Sequence, residues 1–358
     1  MLQKILGSIL YSLLVAWGVV TVVFFLFNVL PGDPARMMLG QRADLATLES
    51  IREEMGFNES LGKQYLRHLN DLSPISVHNE INTKSIFYFD HSKYNRATRI
   101  MHFRNGNIIV LKAPYLGKSM QSNRNVSDMI RTALPNSLIL AFTAILIAFI
   151  IGNFLGIFAA IKKNSWFDSL SIFFSTMGMA LPSFFAAILI GWFFAYKLGH
   201  ITHLNLTGNL IEIDDLGRGS RIELKNLLLP AITLGIRPLS VILQLSRSSM
   251  LDVLSQDYIR TARAKGLSNR RVIFKHAFRN SLAPVVTAVS GWFAGMLAGV
   301  VFVEFIFGWK GLGYMIVNAL NFYDLPVVMG CVLTISMVFV VVNILVDIIY
   351  KVLDPRLR

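Results

Sequence analysis

The sequence predicts an all-α integral membrane protein with six transmembrane helices and an enlarged extracytoplasmic loop domain. Three observations carry that prediction. The chain is 54% hydrophobic and only 15% charged, far from the balance of a soluble globular domain. Apolar runs long enough to cross a bilayer, about 20 residues each, recur along its length. Between the first two runs lies a long polar stretch, about residues 31–130.

The first run, Ile9–Leu30, follows Lys4. It is too long for a signal-peptide core and no small-residue cleavage site follows it, so it reads as an uncleaved anchor. Pro31-Gly32-Asp33-Pro34 ends it. Residues 41–70 then read as an amphipathic helical pair, with Leu45, Leu48, Ile51 and Met55 near one helical period and Phe57, Leu61, Tyr65 and Leu69 near the next. Further on, Asn105-Gly106 stands between the β-prone runs Ile100–Phe103 and Ile108–Leu111. That pattern predicts a hairpin whose two turn residues both take positive φ. The outer stretch is therefore expected to be a small folded cap. It is either a docking surface for an extracytoplasmic partner or an ornament of this lineage.

The remaining runs are Leu134–Ile161, Leu170–Leu198, Leu227–Met250, Leu282–Phe305 and Val327–Tyr350. Leu181-Pro182-Ser183 interrupts the third and predicts a kink. The fourth carries Arg237, Ser240, Gln244 and Arg247 at spacings that share one helical face. Ionisable groups at membrane depth face a bundle interior or a watery path. Arg237, Ser240 and Gln244 are thus candidates for lining a translocation route, the alternative for Arg237 being snorkelling or pairing within the bundle. Arg247 is placed at the inner interface. In the fifth run Gly291, Gly295 and Gly299 recur every four residues, a spacing that lets helices pack closely, within the chain or against another subunit. The lone Cys331 excludes an internal disulfide. His200 and His203 form an H-x-x-H that lacks a third ligand, so no metal site is assigned.

Orientation follows from the short connections. With the N-terminus inside, the inner side receives about 13 Lys/Arg and the short outer connections about four (Arg218, Arg221, Lys225 and Lys310). Long loops cross largely regardless of charge, so the basic stretch 31–130 does not overturn the assignment. Both termini are expected in the cytoplasm. The net charge of +13 is accounted for by this distribution and calls for no nucleic acid. The division that results is an anchor helix (1–30), an extracytoplasmic loop domain (31–130) and a five-helix core (131–358) with a cytoplasmic loop at 251–281.

That inner loop, DYIRTARAKGLSNRRVIFKHAFRNSLAP over 257–284, is the most informative stretch. Tyr258–Ala264 is rich in helix formers, Gly266 can take the positive φ of a helix C-cap, and Ser268 can cap a following helix. Helix, turn, helix parallel to the membrane is the reading. A plain basic loop held against anionic headgroups would explain its charge but not the Ala-Arg-Ala-Lys-Gly pattern. The chain has no G-x-x-x-x-G-K-[ST] phosphate loop and no nucleophile–base pair, so it is not expected to be catalytic itself.

The segment resembles the EAA loop of binding-protein-dependent ABC importers, in the version of the dipeptide/oligopeptide/nickel permease family, first permease subunit type. Arg260–Leu267, Lys275-His276, Arg279-Asn280 and Pro284 carry the likeness. Leu30–Pro34, Arg247–Leu254, Val303-Glu304, Phe307, Trp309, Gly311, Gly313, Tyr323-Asp324, Pro326, Asn343, Asp347, Tyr350 and Asp354–Arg356 extend it along nearly the whole chain. There are departures. Arg260-Thr261-Ala262 replaces Glu-Ala-Ala, Lys310 stands where proline is usual, the segment from about Ile75 to Ala113 looks inserted, and Asn205–Lys225 looks unusual.

The resemblance implies a type I importer permease in the bacterial inner membrane. It would form half of a pathway for di- or oligopeptides, with a second permease, two ATP-binding subunits and an extracytoplasmic binding protein as partners. ATP and Mg would sit on the ATPases, with no cofactor on this chain. Tyr258, Arg260, Thr261, Ala262, Arg263, Ala264, Lys265 and Gly266 would form the ATPase-coupling helix. The same architecture importing nickel chelates or another small solute is the alternative. An ion-coupled secondary carrier would need carboxylates in mid-span, whereas Asp168, Glu304 and Asp347 lie at or near span ends. A membrane-anchored receptor would need neither the polar face of the fourth run nor a structured inner loop.

Overall fold

The structure, a computed structural model, describes residues 2–29, 46, 49, 52, 58–83, 85–91, 93, 94, 97–213 and 219–353. Pro31–Pro34, most of the first amphipathic helix expected after it (Leu45, Leu48, Ile51, Met55, with Phe57), Arg218 and Asp354–Arg356 lie outside the described residues. In chain order the elements begin with α1 (Leu2–Val29), α2 (Leu61–Leu72), β1 (Ile75–Asn79), β2 (Thr98–His102), β3 (Asn107–Leu111), α3 (Val126–Ile161), α4 (Trp166–Ala180) and α5 (Ser183–Ile190). A π-helical turn Gly191–Lys197, α6 (Gly199–Thr202), β4 (Ile211–Ile213), β5 (Ser220–Ile222), α7 (Lys225–Leu254), α8 (Asp257–Ala264) and α9 (Asn269–Arg271) follow. A π segment Val272–Ala277, α10 (Phe278–Ile306), α11 (Leu312–Asn321) and α12 (Leu325–Leu353) complete the chain.

The described residues of every apolar run lie in helix, apart from Leu181, Pro182 and Leu198 of the third. Among the described residues three helices (α3, α7 and Leu325–Val346 of α12) are long and apolar enough to cross a membrane, and a fourth joins them if α4 and α5 with its π turn count as one span. The α4–α5 junction is more than the expected kink: the axes turn by 113°. Leu181 is extended (φ −70°, ψ 125°) and Pro182 follows at φ −61°, because a residue before proline is driven out of the helical region. Helix α3 starts at Val126, two turns before Leu134, and carries Pro135 inside it. Val126 and Ile130 are buried, and this burial extends the helix outward past the apolar run.

The chain divides into two compact units, residues 133–314 with 338–358 and residues 2–132 with 315–337. In the first, α7 is the central element and packs against α4, α5 and α10. Leu140, Ala144, Ile242, Val300, Val303, Phe307 and Trp309 belong to its main core. Helices α3 and α7 meet closely through glycine: a Cβ on Gly156 would lie 2.5 Å from the Leu243 carbonyl oxygen, and one on Gly235 would lie 2.9 Å from that of Ala144. Small residues make such backbone approach possible where apolar side chains alone gain little from leaving lipid. The Ser246 hydroxyl donates to Asn153 Oδ1 (2.7 Å) across the same contact.

The second unit holds the outer stretch. Helix α2 lies on α1, where Tyr65 shares a hydrogen bond with Thr21 (2.6 Å) and stacks near Phe24 and Phe25. The strands form an antiparallel sheet in the order β1-β3-β2, covering a small core of Phe89, Tyr94, Ile108 and Val110. The hairpin at Asn105-Gly106 forms, with one correction. Only Gly106 has positive φ (78°), and Gly106 N–H donates to Phe103 C=O (3.1 Å). The loop has three residues, and only its last needs the left-handed region.

Candidate functional site

The inner loop is built around two inward-facing residues. Ile259 is fully buried and Ala262 is 9% exposed; with Ile157, Ala160, Met250, Val272, Ile273 and Ala277 they form a separate core. They are three apart, so α8 presents one narrow face to its own chain. Tyr258, Arg260, Thr261, Arg263, Ala264, Lys265 and Gly266 are exposed. Of the eight residues nominated from sequence, Ala262 is the one that turns inward. A small side chain there lets the helix backbone lie close to the body, which sequence spacing alone did not separate from its exposed neighbours.

The helix ends in a closed backbone cap. Gly266 takes φ 75°, its N–H donates to Arg263 C=O (2.9 Å), and Leu267 N–H reaches back to Ala262 C=O (3.3 Å). These are the two bonds of the Schellman motif, and Leu267 packs beside the same core. No atom lies within 4 Å of where a Gly266 Cβ would stand, so glycine is required here by φ alone. Ser268 makes no side-chain cap. The second helix of the expected pair is not separate: α9, the π segment and α10 run on without interruption. Tyr258 Oη accepts from Asn280 Nδ2 (3.0 Å), tying α8 to the start of α10.

The polar face of α7 divides. Ser240 is buried, donates to Ile236 C=O (2.9 Å) and packs on Gly178 of α4. Gln244 Nε2 donates to Ser175 Oγ (2.9 Å), whose own hydroxyl bonds the Ser240 carbonyl (2.8 Å). Arg247 forms a two-pronged pair with Asp168 of α4, with Nη2–Oδ2 at 2.7 Å. Arg237 alone of the four is exposed. The structure therefore sets Ser240 in a helix–helix contact. The Arg247–Asp168 clamp was not anticipated as a pair, because the two residues are 79 apart in sequence. Gly291, Gly295 and Gly299 have nothing within 4 Å of their Cβ positions. Among the described residues nothing packs closely on them, and close approach of helix backbones occurs at Gly156 and Gly235.

The motif following α10 is a folded knot. Glu304 is fully buried and accepts from the Ser137 hydroxyl (2.6 Å), Gly313 N–H (2.7 Å) and Tyr314 N–H (3.2 Å). Ser137 Oγ accepts from Leu312 N–H (2.8 Å). A serine and a carboxylate from outside α11 thus satisfy its first free N–H groups, where negative charge is favoured. A Cβ on Gly311 would lie 2.2 Å from the carboxylate, so that glycine is demanded by contact. Lys310, where proline is usual, donates its backbone N–H to Asn209 Oδ1 (2.6 Å). A proline could not, and Asn209 lies in the second stretch that looked unusual, so the two departures meet in one contact.

In the outer unit, Asp71 accepts the Tyr94 hydroxyl, and its carbonyl accepts from Lys112 Nζ (2.6 Å), which sits 4.6 Å from the Tyr94 ring centre. Burial lowers the Lys112 ammonium to about 8 against the opposing pull of Asp71, and raises the Tyr94 phenol. Burial also lowers both His68 and His78.

A multi-helix membrane protein with an exposed helix closed by a backbone cap is the class that this geometry defines. Residues 152–358 match the family described as the binding-protein-dependent transport system inner membrane component, and residues 1–85 match the N-terminal segment of such membrane components. Over 371 aligned residues the chain is 32% identical to the dipeptide transport system permease protein of Alkalihalophilus pseudofirmus, covering all of both. It is 32% identical to the glutathione transport system permease protein of Salmonella typhimurium over 357 residues, 100% of this chain and 98% of that one. A probable D,D-dipeptide transport system permease protein of Escherichia coli K12 is 32% identical over 362 residues, 96% and 94% of the two chains. The chain belongs to this family, the permease subunits of ABC importers, in its dipeptide/oligopeptide branch.

Proposed function

We propose that the chain forms half of the translocation pathway of an ATP-driven importer of di- and oligopeptides, and that α8 is its contact with a cytoplasmic ATPase. The observation that carries the reading is the construction of α8. Two residues bed it in its own chain, a backbone cap stiffens its end, and an otherwise exposed face is left for a partner. A coupling element must do both things, because a helix that yields cannot transmit displacement. Six spans with both termini in the cytoplasm put α8 on the ATPase side, as the positive-inside distribution requires. The anchor (1–30), outer domain (31–130) and core (131–358) divide the labour. The partners are a second permease, whose helix packs on the open glycine stripe Gly291/Gly295/Gly299, two ATPases carrying ATP and Mg, and an extracytoplasmic binding protein. Arg237 and Gln244 border the route, with Ser240 holding α7 against α4. Peptides are the cargo because three relatives of matching length carry names of dipeptide, glutathione and D,D-dipeptide transport.

Reconstitution with both ATPases, the second permease and the binding protein tests the reading. Peptides should stimulate ATP hydrolysis several-fold and accumulate in vesicles, whereas nickel chelates should not. Stimulation by chelates alone would replace peptide by metal chelate as the cargo. Uptake without ATPases would replace the importer by a secondary carrier.

A further inference from the structure

We propose that Arg237 receives the carboxylate of a peptide in transit, and that the amide carbonyl of Gln244 accepts a peptide N–H beside it. This assignment rests on reading the chain as a peptide permease. Counting 1.5 Å per helical residue from the ends of the apolar run Leu227–Met250, Arg237 lies about 15 Å from one and about 20 Å from the other. Its guanidinium is always charged, and mid-span is where snorkelling to headgroups helps least. It is exposed and has no hydrogen bond or ion pair among the described residues. Among the described carboxylates, Asp168 is committed to Arg247, and Glu304 to Ser137, Gly313 and Tyr314. Asp252 shares the same helical face but lies about 22 Å along α7. A cation so placed needs an anion or water that the described residues do not supply.

The surroundings narrow the anion. Arg237, Val241, Gln244 and Ser248 recur at intervals of four, three and four and form one partly exposed stripe of α7. Gln244 is fixed through its Nε2 bond to Ser175, while its carbonyl oxygen accepts no hydrogen bond among the described residues. One bidentate donor and one amide acceptor therefore stand about 10 Å apart along the helix, roughly the span of three extended peptide residues. A carboxylate-bearing peptide satisfies both, whereas a lipid tail satisfies neither.

The test uses the full complex in proteoliposomes, with the binding protein saturated in turn by a tripeptide and by its C-terminal amide. Wild type is expected to transport the acid at least tenfold faster than the amide. Arg237→Gln should lower acid uptake about tenfold and amide uptake less than twofold, so that the preference collapses. Arg237→Lys keeps a cation and should hold a preference above threefold. Co-purification of all subunits confirms assembly of each variant. Equal wild-type rates for acid and amide overturn the assignment without any variant. A parallel loss of both substrates in Arg237→Gln also overturns it, and marks an ion pair with a protein carboxylate. So does a Lys variant that carries both forms equally well. A wild-type complex that imports another solute and neither peptide overturns the peptide reading itself, and this assignment with it.

Discussion

The inner helix α8 and the outer sheet domain solve opposite problems. Helix α8 buries two side chains in a core belonging to the rest of its unit, and its remaining surface is exposed. The sheet β1-β3-β2 has a core of its own and surrounds it with titratable groups held out of water, His78, Lys112 and Tyr94 among them. The difference teaches what each is for. The proposed coupling role suits α8, because it is anchored through few points to the body that would move. The sheet has a core of its own, and its stability follows its own internal polar contacts.

The largest expected effect breaks the anchoring of α8. Ile259→Asp places a charge in a fully buried site, a cost of several kcal/mol, and should abolish peptide uptake and peptide-stimulated ATP hydrolysis. Amide exchange should rise in α8 and stay unchanged in the sheet; an equal rise in both would end the claim that the two regions are independent. Next, Gly266→Val forces a β-branched residue to φ 75°, costing about 2 kcal/mol with no steric clash to relieve. Uptake should be lost while the protein remains in the membrane, and normal uptake by a well-expressed variant would remove α8 from the coupling role.

The sheet domain should respond to pH through its buried titratable groups. His68 and His78 are lowered, so the unfolded state binds protons first as pH falls below about 6.5, and the domain loses stability there. Lys112 is lowered to about 8. Between that value and its unfolded value of 10.5 the unfolded state again binds more protons, so stability rises with pH across that interval. Tyr94, raised above its ordinary 10.0, opposes the gain above about pH 10. Amide exchange of β1–β3 should slow from pH 5 to 7 after correction for intrinsic rate, and His78→Gln should flatten that change. The smallest effect concerns the exposed Arg260–Asp257 pair at 3.5 Å. Asp257→Asn should change uptake less than twofold, since such pairs contribute about 0–1 kcal/mol at most.

Much of the architecture was legible in sequence because it depends on local chemistry. Six apolar runs lie in helices, the hairpin falls at Asn105-Gly106, and Gly266 closes α8. The distinctions that the sequence left undrawn share one cause. Ala262 and Ala264 look alike in sequence, yet only Ala262 meets the body of the chain. The spaced glycines of α10 match a packing pattern, yet the close approach uses Gly156 and Gly235, set by which faces of α3 and α7 meet. Ser240 and Arg237 share a helical face by spacing, but packing against Gly178 encloses one and leaves the other exposed.

Periodicity, turn residues and charge distribution are properties of neighbours along the chain, so the sequence by itself determined the helices, their expected orientation and the glycine-capped first helix of the 257–284 loop. Pairings between distant residues were decided only by the tertiary structure. Asp168 meets Arg247, Glu304 meets Ser137 and the first turn of α11, and Lys310 meets Asn209. Each joins a buried or constrained polar group to partners that packing brings within hydrogen-bonding distance. No local pattern encodes that choice, because it depends on how whole helices cross.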